Sequence, residues 1–168
     1  MSNIRFTYLV LSGVACLILA ACKVQQTGRT ETATLQWVKH HVTIGGKREQ
    51  NPLSQTAENI ESGKRIFGYY CVVCHGRDGQ NTGVPFAANI SPPIPSLASA
   101  DVQRYTDGQL KWIIEHGISP SGMPASKGTL NDDEMWHIVV YLRHLPPAGS
   151  LGEPRAYSGD EYEDASPK

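Results

Sequence analysis

Apolar residues run almost unbroken from about Phe6 to Ala21, with Arg5 in front and small residues at the end. That is the layout of a secretory signal peptide. The run is shorter than the ~20 apolar residues that comfortably span a bilayer. From residue 23 to about 53 no period is sustained. Thr34 to Ile44 mixes Trp37, Val38 and Val42 with His40 and His41, and Gly45-Gly46 and Asn51-Pro52 break up the remainder. Residues 22–53 therefore read as a tether. Helical spacing then begins. Ser54 or Thr56 can cap a helix to about Tyr70, with Ile60, Gly63, Ile66, Phe67 and Tyr70 on one face. Gly63 costs about 1 kcal/mol relative to Ala inside a helix, which makes sense where another helix crosses closely. Gly76 to Gly83 reads as a glycine-rich loop, and Pro92-Pro93-Ile94-Pro95 as a stiff segment.

Two more helices come after it. Thr106 and Gln109 form a T-x-x-Q capping box opening a helix to about His116, with Leu110, Ile113 and Ile114 as its stripe and Gly117 as its stop. Asn131 and Glu134 open the last helix, with Asp132 and Asp133 in its first turn. Met135, Ile138, Val139 and Leu142 form one face, widened by Trp136 and Val140, and Pro146-Pro147 ends it. This helix is expected to cross the first, with Gly63 and Phe67 meeting Trp136 and Tyr141 or their neighbours. His137, Tyr141 and His144 align on a face that reads as solvated. Residues 148–168 read as a flexible acidic tail. The pattern predicts an all-α domain over residues 54–147 with three main helices.

The chemistry lies between the first two helices, at Cys71-Val72-Val73-Cys74-His75. In an exported chain, C-x-x-C-H fits covalent haem attachment through Cys71 and Cys74, with His75 as the proximal iron ligand. Zinc wants two more clustered ligands, and the remaining cysteines, Cys16 and Cys22, stand in the leader. A thioredoxin-type dithiol belongs near a βαβ pattern, and no strand alternation surrounds this one. Met123, in Gly122-Met123-Pro124, is the candidate distal ligand: its flanking residues constrain the loop, and a thioether favours ferrous iron. Met135, His116, His137 and His144 are rival sixth ligands, all on predicted helices; His40 and His41 precede the domain.

From about Thr56 to Pro146 the chain resembles a class I monohaem cytochrome c. The resemblance rests on Gly63 and Phe67, Cys71-Val72-Val73-Cys74-His75-Gly76, Ser121-Gly122-Met123-Pro124, and a last helix with Met135-Trp136 and Tyr141-Leu142. It implies three main helices around one covalently attached haem c. It also implies that a proline carbonyl, from Pro92, Pro93 or Pro95, accepts the Nδ1–H of His75. Leu97 is then expected to face the porphyrin, and Trp112 either to pack or to reach a propionate through its indole N–H.

The formal net charge of −1 offers no field for nucleic acid. Lys23 to Leu53 holds five basic residues against two acidic, and Ser150 to Lys168 two basic against five acidic. Leu19-Ala20-Ala21-Cys22 is similar to the lipobox of bacterial lipoproteins, so residues 1–21 read as a leader and Cys22 as the lipidated first residue. An uncleaved membrane helix and plain secretion are the alternatives. The expected function is a periplasmic, membrane-tethered one-electron carrier between redox-protein partners, as shuttle or as subunit of a respiratory or dehydrogenase complex, with no small-molecule substrate. A haem sensor or peroxidatic enzyme with an open distal site, and a haem-free zinc-binding interaction lipoprotein, are the competing readings.

Overall fold

The computed structural model describes residues 44–90, 92–118 and 122–158. Among these the ordered elements are helical: α1 (Ala57–Tyr70), α2 (Val72–His75), α3 (Ala100–Gln103), α4 (Asp107–His116), α5 (Asp132–Leu142) and α6 (Arg155–Ser158). None of the described helices is long and apolar enough to cross a membrane. The predicted leader, Cys22, His40 and His41 lie outside the described residues.

Local chemistry sets the helix ends where the spacing predicts. The Thr56 side chain accepts the Asn59 N–H and starts α1. Both capping boxes are closed, Thr106 with Gln109 on α4 and Asn131 with Glu134 on α5. Helices α1 and α5 cross at Gly63. A Cβ there would lie 2.0 Å from the His137 carbonyl oxygen and 2.9 Å from the Tyr141 Cβ. One turn on, the Phe67 and Tyr141 rings meet with centroids 5.3 Å apart. Tyr141 is therefore a core residue, and the row His137, Tyr141, His144 begins against α1 instead of in solvent. The core gathers Phe67 with Leu110, Ile113 and Ile114 of α4 and Met135, Trp136, Ile138, Val139 and Leu142 of α5.

Polar ties hold α4 to α5. The Arg143 guanidinium donates to Asp107 at 2.9 Å through Nε and to the carbonyls of Gln103 and Tyr105. At the opposite end the buried Lys111 ammonium bridges Glu115 at 2.8 Å and Asp132 at 2.9 Å.

Part of each flank packs on the domain. The tether predicted over 22–53 has its last ten residues packed on the domain. Ile44 is 2% exposed within the core. Gln109 Nε2 donates to the Gly45 carbonyl at 2.9 Å, Thr106 Oγ1 donates to that of Lys47, and Asn51 Nδ2 donates to that of Trp136 at 3.0 Å. The tail predicted as flexible from 148 is docked as far as it is described. Its Gly149 N–H donates to Asp78 at 2.7 Å, Arg77 donates to the Leu151 carbonyl at 3.3 Å, and the Tyr157 hydroxyl donates to the Val73 carbonyl at 2.9 Å. Tyr157 also meets the Phe86 ring edge-on. Neither flank has an apolar period, because each docks mainly through backbone groups, and those leave no mark on hydropathy.

Asp78 joins the strap, residues 146–158, to the loop after His75. Its carboxylate is fully buried and accepts from Gln80 N at 2.9 Å, Thr82 Oγ1 at 2.5 Å and Gly149 N at 2.7 Å. Burial pushes its pKa up, but the hydrogen bonds from Thr82, Gly149 and Gln80 outweigh that and hold the carboxyl below the ordinary range.

Two outcomes are expected. Gly63→Ala forces a methyl into the His137 backbone and should cost about 3 kcal/mol, the upper end for overpacking, read by urea denaturation. Asp78→Ala removes the acceptor shared by Gln80 N, Thr82 Oγ1 and Gly149 N and should cost a similar ~3 kcal/mol while exposing residues 146–158 to protease. In the native chain this contribution is present above the unfolded carboxyl value of 3.8 and is lost as pH falls below it, because the folded group binds its proton less readily.

Candidate haem-binding site

The segment 71–75 grows directly out of α1. Cys71 N donates to the Phe67 carbonyl and His75 N to the Cys71 carbonyl, each at 2.9 Å. The two thiols and the imidazole thus share one turn at the end of a helix whose position the Gly63 crossing fixes. Cys71 is half-buried and Cys74 exposed. Burial, and then the neighbouring Cys74, push the Cys71 thiol up to about 12, so it is neutral at neutral pH. Burial lowers His75 to about 4, which leaves a neutral imidazole, the form that binds metal.

Met123 is carried by a loop laced back onto the end of α4. The Met123 carbonyl accepts from Ile118 N at 3.1 Å, and Ser126 N and Lys127 N donate to the carbonyls of Ile114 and Glu115. The loop thereby satisfies carbonyls that the helix end leaves free. Gly117 makes this possible: its φ is +68°, and a Cβ would lie 2.4 Å from the Met123 carbonyl oxygen. The Met123 side chain is half-buried against the same core that Cys71, Val72, Leu97, Trp112 and Ile118 border.

The rival ligands are engaged elsewhere. Met135 is 2% exposed in the core. His116 stacks on Trp112 with ring centroids 4.5 Å apart. The Nδ1 atoms of His137 and His144 face the carbonyls of Asp133 and Val140, each at 2.9 Å. Among the described residues no group of three or more His, Cys, Asp and Glu side chains comes together, so a zinc donor set is not assembled around Cys71 and Cys74.

The proline-carbonyl bond to His75 is not made in this structure: His75 Nδ1 is buried without a partner. Pro92, Pro93 and Pro95 are exposed. Their segment is held through Ile94 instead, whose N–H donates to Ala87 and whose carbonyl accepts Asn81 Nδ2 at 2.8 Å. Leu97 N donates to the Gly79 carbonyl at 2.8 Å, placing Leu97 beside the loop after His75. Asp78, Asn81 and Gln80 are the residues that spacing does not single out. Asp and Asn in a glycine-rich loop do signal side-chain-capped turns, but which distant segments they hold is not written in the loop.

These residues fit a haem c. Two cysteines and a half-buried, neutral imidazole whose Nδ1 is buried and unpaired share one turn, and half-buried apolar side chains that include a thioether border the same core. Residues 58–142, half of the chain, match the family described as cytochrome c oxidase, cbb3-type, subunit III. The chain is 28% identical over 97 residues to the quinohemoprotein alcohol dehydrogenase ADH IIB of Pseudomonas putida, covering 57% of this chain and 12% of that protein. It is 30% identical over 92 residues to a thiosulfate dehydrogenase of Stutzerimonas stutzeri (strain A1501), covering 54% of this chain and 29% of that protein. The matched region is thus a minor part of each of these relatives. On the extent of the family match, the chain belongs to the cbb3-type cytochrome c oxidase subunit III family, c-type cytochromes that carry covalently bound haem c for electron transfer.

Proposed function

We propose that Cys71 and Cys74 hold the haem through thioether bonds, that His75 is its proximal ligand and Met123 its distal one. The observation that carries this is the His75 imidazole: half-buried and neutral, with Nδ1 buried and without a hydrogen-bond partner, and on the same turn as both thiols. The bound group supplies one-electron chemistry between ferric and ferrous iron. The residues around it keep that chemistry to electron transfer. With His75 and Met123 both holding the iron, no open position would remain for a substrate, and the partly buried Val72, Leu97, Ile118 and Met123 side chains would supply apolar surface to the group.

The proposed role is a one-electron carrier tethered to a membrane on its periplasmic side. The tether rests on Leu19-Ala20-Ala21-Cys22, with residues 1–21 as the leader and Cys22 as the acylated first residue. Anchoring raises the concentration of the carrier near membrane-bound partners. Those partners are redox proteins, met through small interfaces at the edge near Cys71 and Cys74. Two of its relatives are dehydrogenases, which supports a place beside or within such a complex.

Acid acetone applied to the mature protein should leave the red colour with the polypeptide; colour extracted into the solvent sinks the proposal. Met123→Ala should remove the thioether charge-transfer band of the ferric protein and let the ferrous form bind carbon monoxide rapidly. If the native protein already binds carbon monoxide rapidly, the distal site is open and the sensor or peroxidatic reading takes over. Cys22→Ala should move the protein from the membrane to the soluble fraction, checked by fractionation.

A further inference from the structure

Lys111 on α4 is 8% exposed and is the one buried basic residue among those described. Its ammonium donates to Glu115 at 2.8 Å, one turn along α4, and pairs at 2.9 Å with Asp132 in the first turn of α5. Burial lowers its pKa, but the hydrogen bonds to Asp132 and Glu115 outweigh that and hold it above the ordinary lysine value, so the group is charged. A buried ion pair adds little net stability over an apolar side chain of similar volume, because desolvation offsets the attraction. Stability alone therefore does not account for a cation here, whereas fixing the relative position of two segments does.

The three residues stand at the neck of the loop that carries Met123. Glu115 lies in the last turn of α4 and Asp132 opens α5, so the ammonium joins the two ends between which the loop runs. Glu115 holds the loop itself as well. Its backbone carbonyl accepts from Lys127 N at 3.1 Å, and the carboxylate oxygen that Lys111 leaves free lies 3.6 Å from Lys127 Nζ. The neighbouring Ile114 carbonyl accepts from Ser126 N at 3.0 Å. Ser126 is three residues beyond Met123, and Pro124 stiffens the backbone between them. The other tie between α4 and α5 is remote from this neck. Arg143 binds Asp107 and the carbonyls of Gln103 and Tyr105, at or before the start of α4.

We propose that Lys111 is a positioning residue for the distal ligand: by clamping Glu115 to Asp132 it keeps the neck of the Met123 loop closed and the thioether on the iron. This rests on Met123 being that ligand. Lys127 adds a weaker tie, because its side chain is 71% exposed and solvent screens the charge. Without the clamp the loop separates from the end of α4 more often, and the iron–sulfur bond opens with it. The turn of Cys71, Cys74 and His75 hangs on α1 and is left as it was.

The test uses the full-length holoprotein with Lys111→Met, Asp132→Asn and Arg143→Met. Lys111→Met keeps most of the side-chain volume and deletes the cation. Its ferrous form should bind carbon monoxide about tenfold faster than the native protein, the scale of one charge-assisted hydrogen bond. Its ferric thioether charge-transfer band should bleach at a lower temperature. Asp132→Asn should shift both readings the same way, by less. Arg143→Met breaks the remote tie and should lower stability to urea while both readings stay native. A native band and rate in Lys111→Met would make the ion structural only, and equal acceleration in Arg143→Met would mean that any loosening of the helix pair opens the iron; either overturns the inference. If Lys111→Met does not fold, Asp132→Asn decides by the same two readings. A native protein that already lacks the band is a different result: it removes Met123 from the iron, and the inference with it, before any variant is made.

Discussion

The close approach of α1 to α5 at Gly63 governs the placement of the segment 71–75. The His137 carbonyl occupies the space a Cβ would need, and the Phe67–Tyr141 contact lies one turn further on. Cys71 then hydrogen-bonds back to Phe67, and His75 back to Cys71. The attachment turn is therefore aimed by a helix crossing, and the geometry of a short reactive motif depends on a glycine two helical turns before it.

The loop beyond His75 is the second constraint. It contains no regular structure and would be expected to move, yet it is held from three directions. Asp78 binds its own loop and the strap, the Tyr141 hydroxyl donates to the Arg77 carbonyl, and Asn81 reaches the proline-rich segment. A buried carboxylate is tolerable only when its lone pairs are satisfied, and three donors converge on Asp78. The same economy applies on the other side of the core, where the Met123 loop satisfies the last carbonyls of α4. His75 ends the short α2 that continues α1, whereas Met123 lies on a loop whose backbone is tied to the end of α4.

Much of this architecture is legible in the residues alone. The three main helices and their caps follow from apolar spacing and from Thr106, Gln109, Asn131 and Glu134, because capping is a local matter settled within four residues. The crossing at Gly63 is legible because glycine inside a helix needs a reason. The spacing of Cys71, Cys74 and His75 is legible without the fold. The flanks are not legible in this way: Ile44 looks like an isolated apolar residue in a tether, and Gly149 and Tyr157 look like parts of a polar tail. Their partners are backbone carbonyls and a carboxylate far along the chain, and no periodicity records such pairings.

By itself, then, the sequence determined the class of fold, the helix limits and the turn on which two thiols and an imidazole must share one side. These rest on short-range sterics and on hydrophobic spacing, which act within one or two turns. Only the tertiary structure decided that Asp78 is a buried junction, that residues 44–53 and 146–158 belong to the domain, and that His75 Nδ1 faces no proline carbonyl while Asn81 Oδ1 stands free. These depend on which polar atoms lose water when distant segments meet, and that is a property of the packed chain and not of any stretch within it.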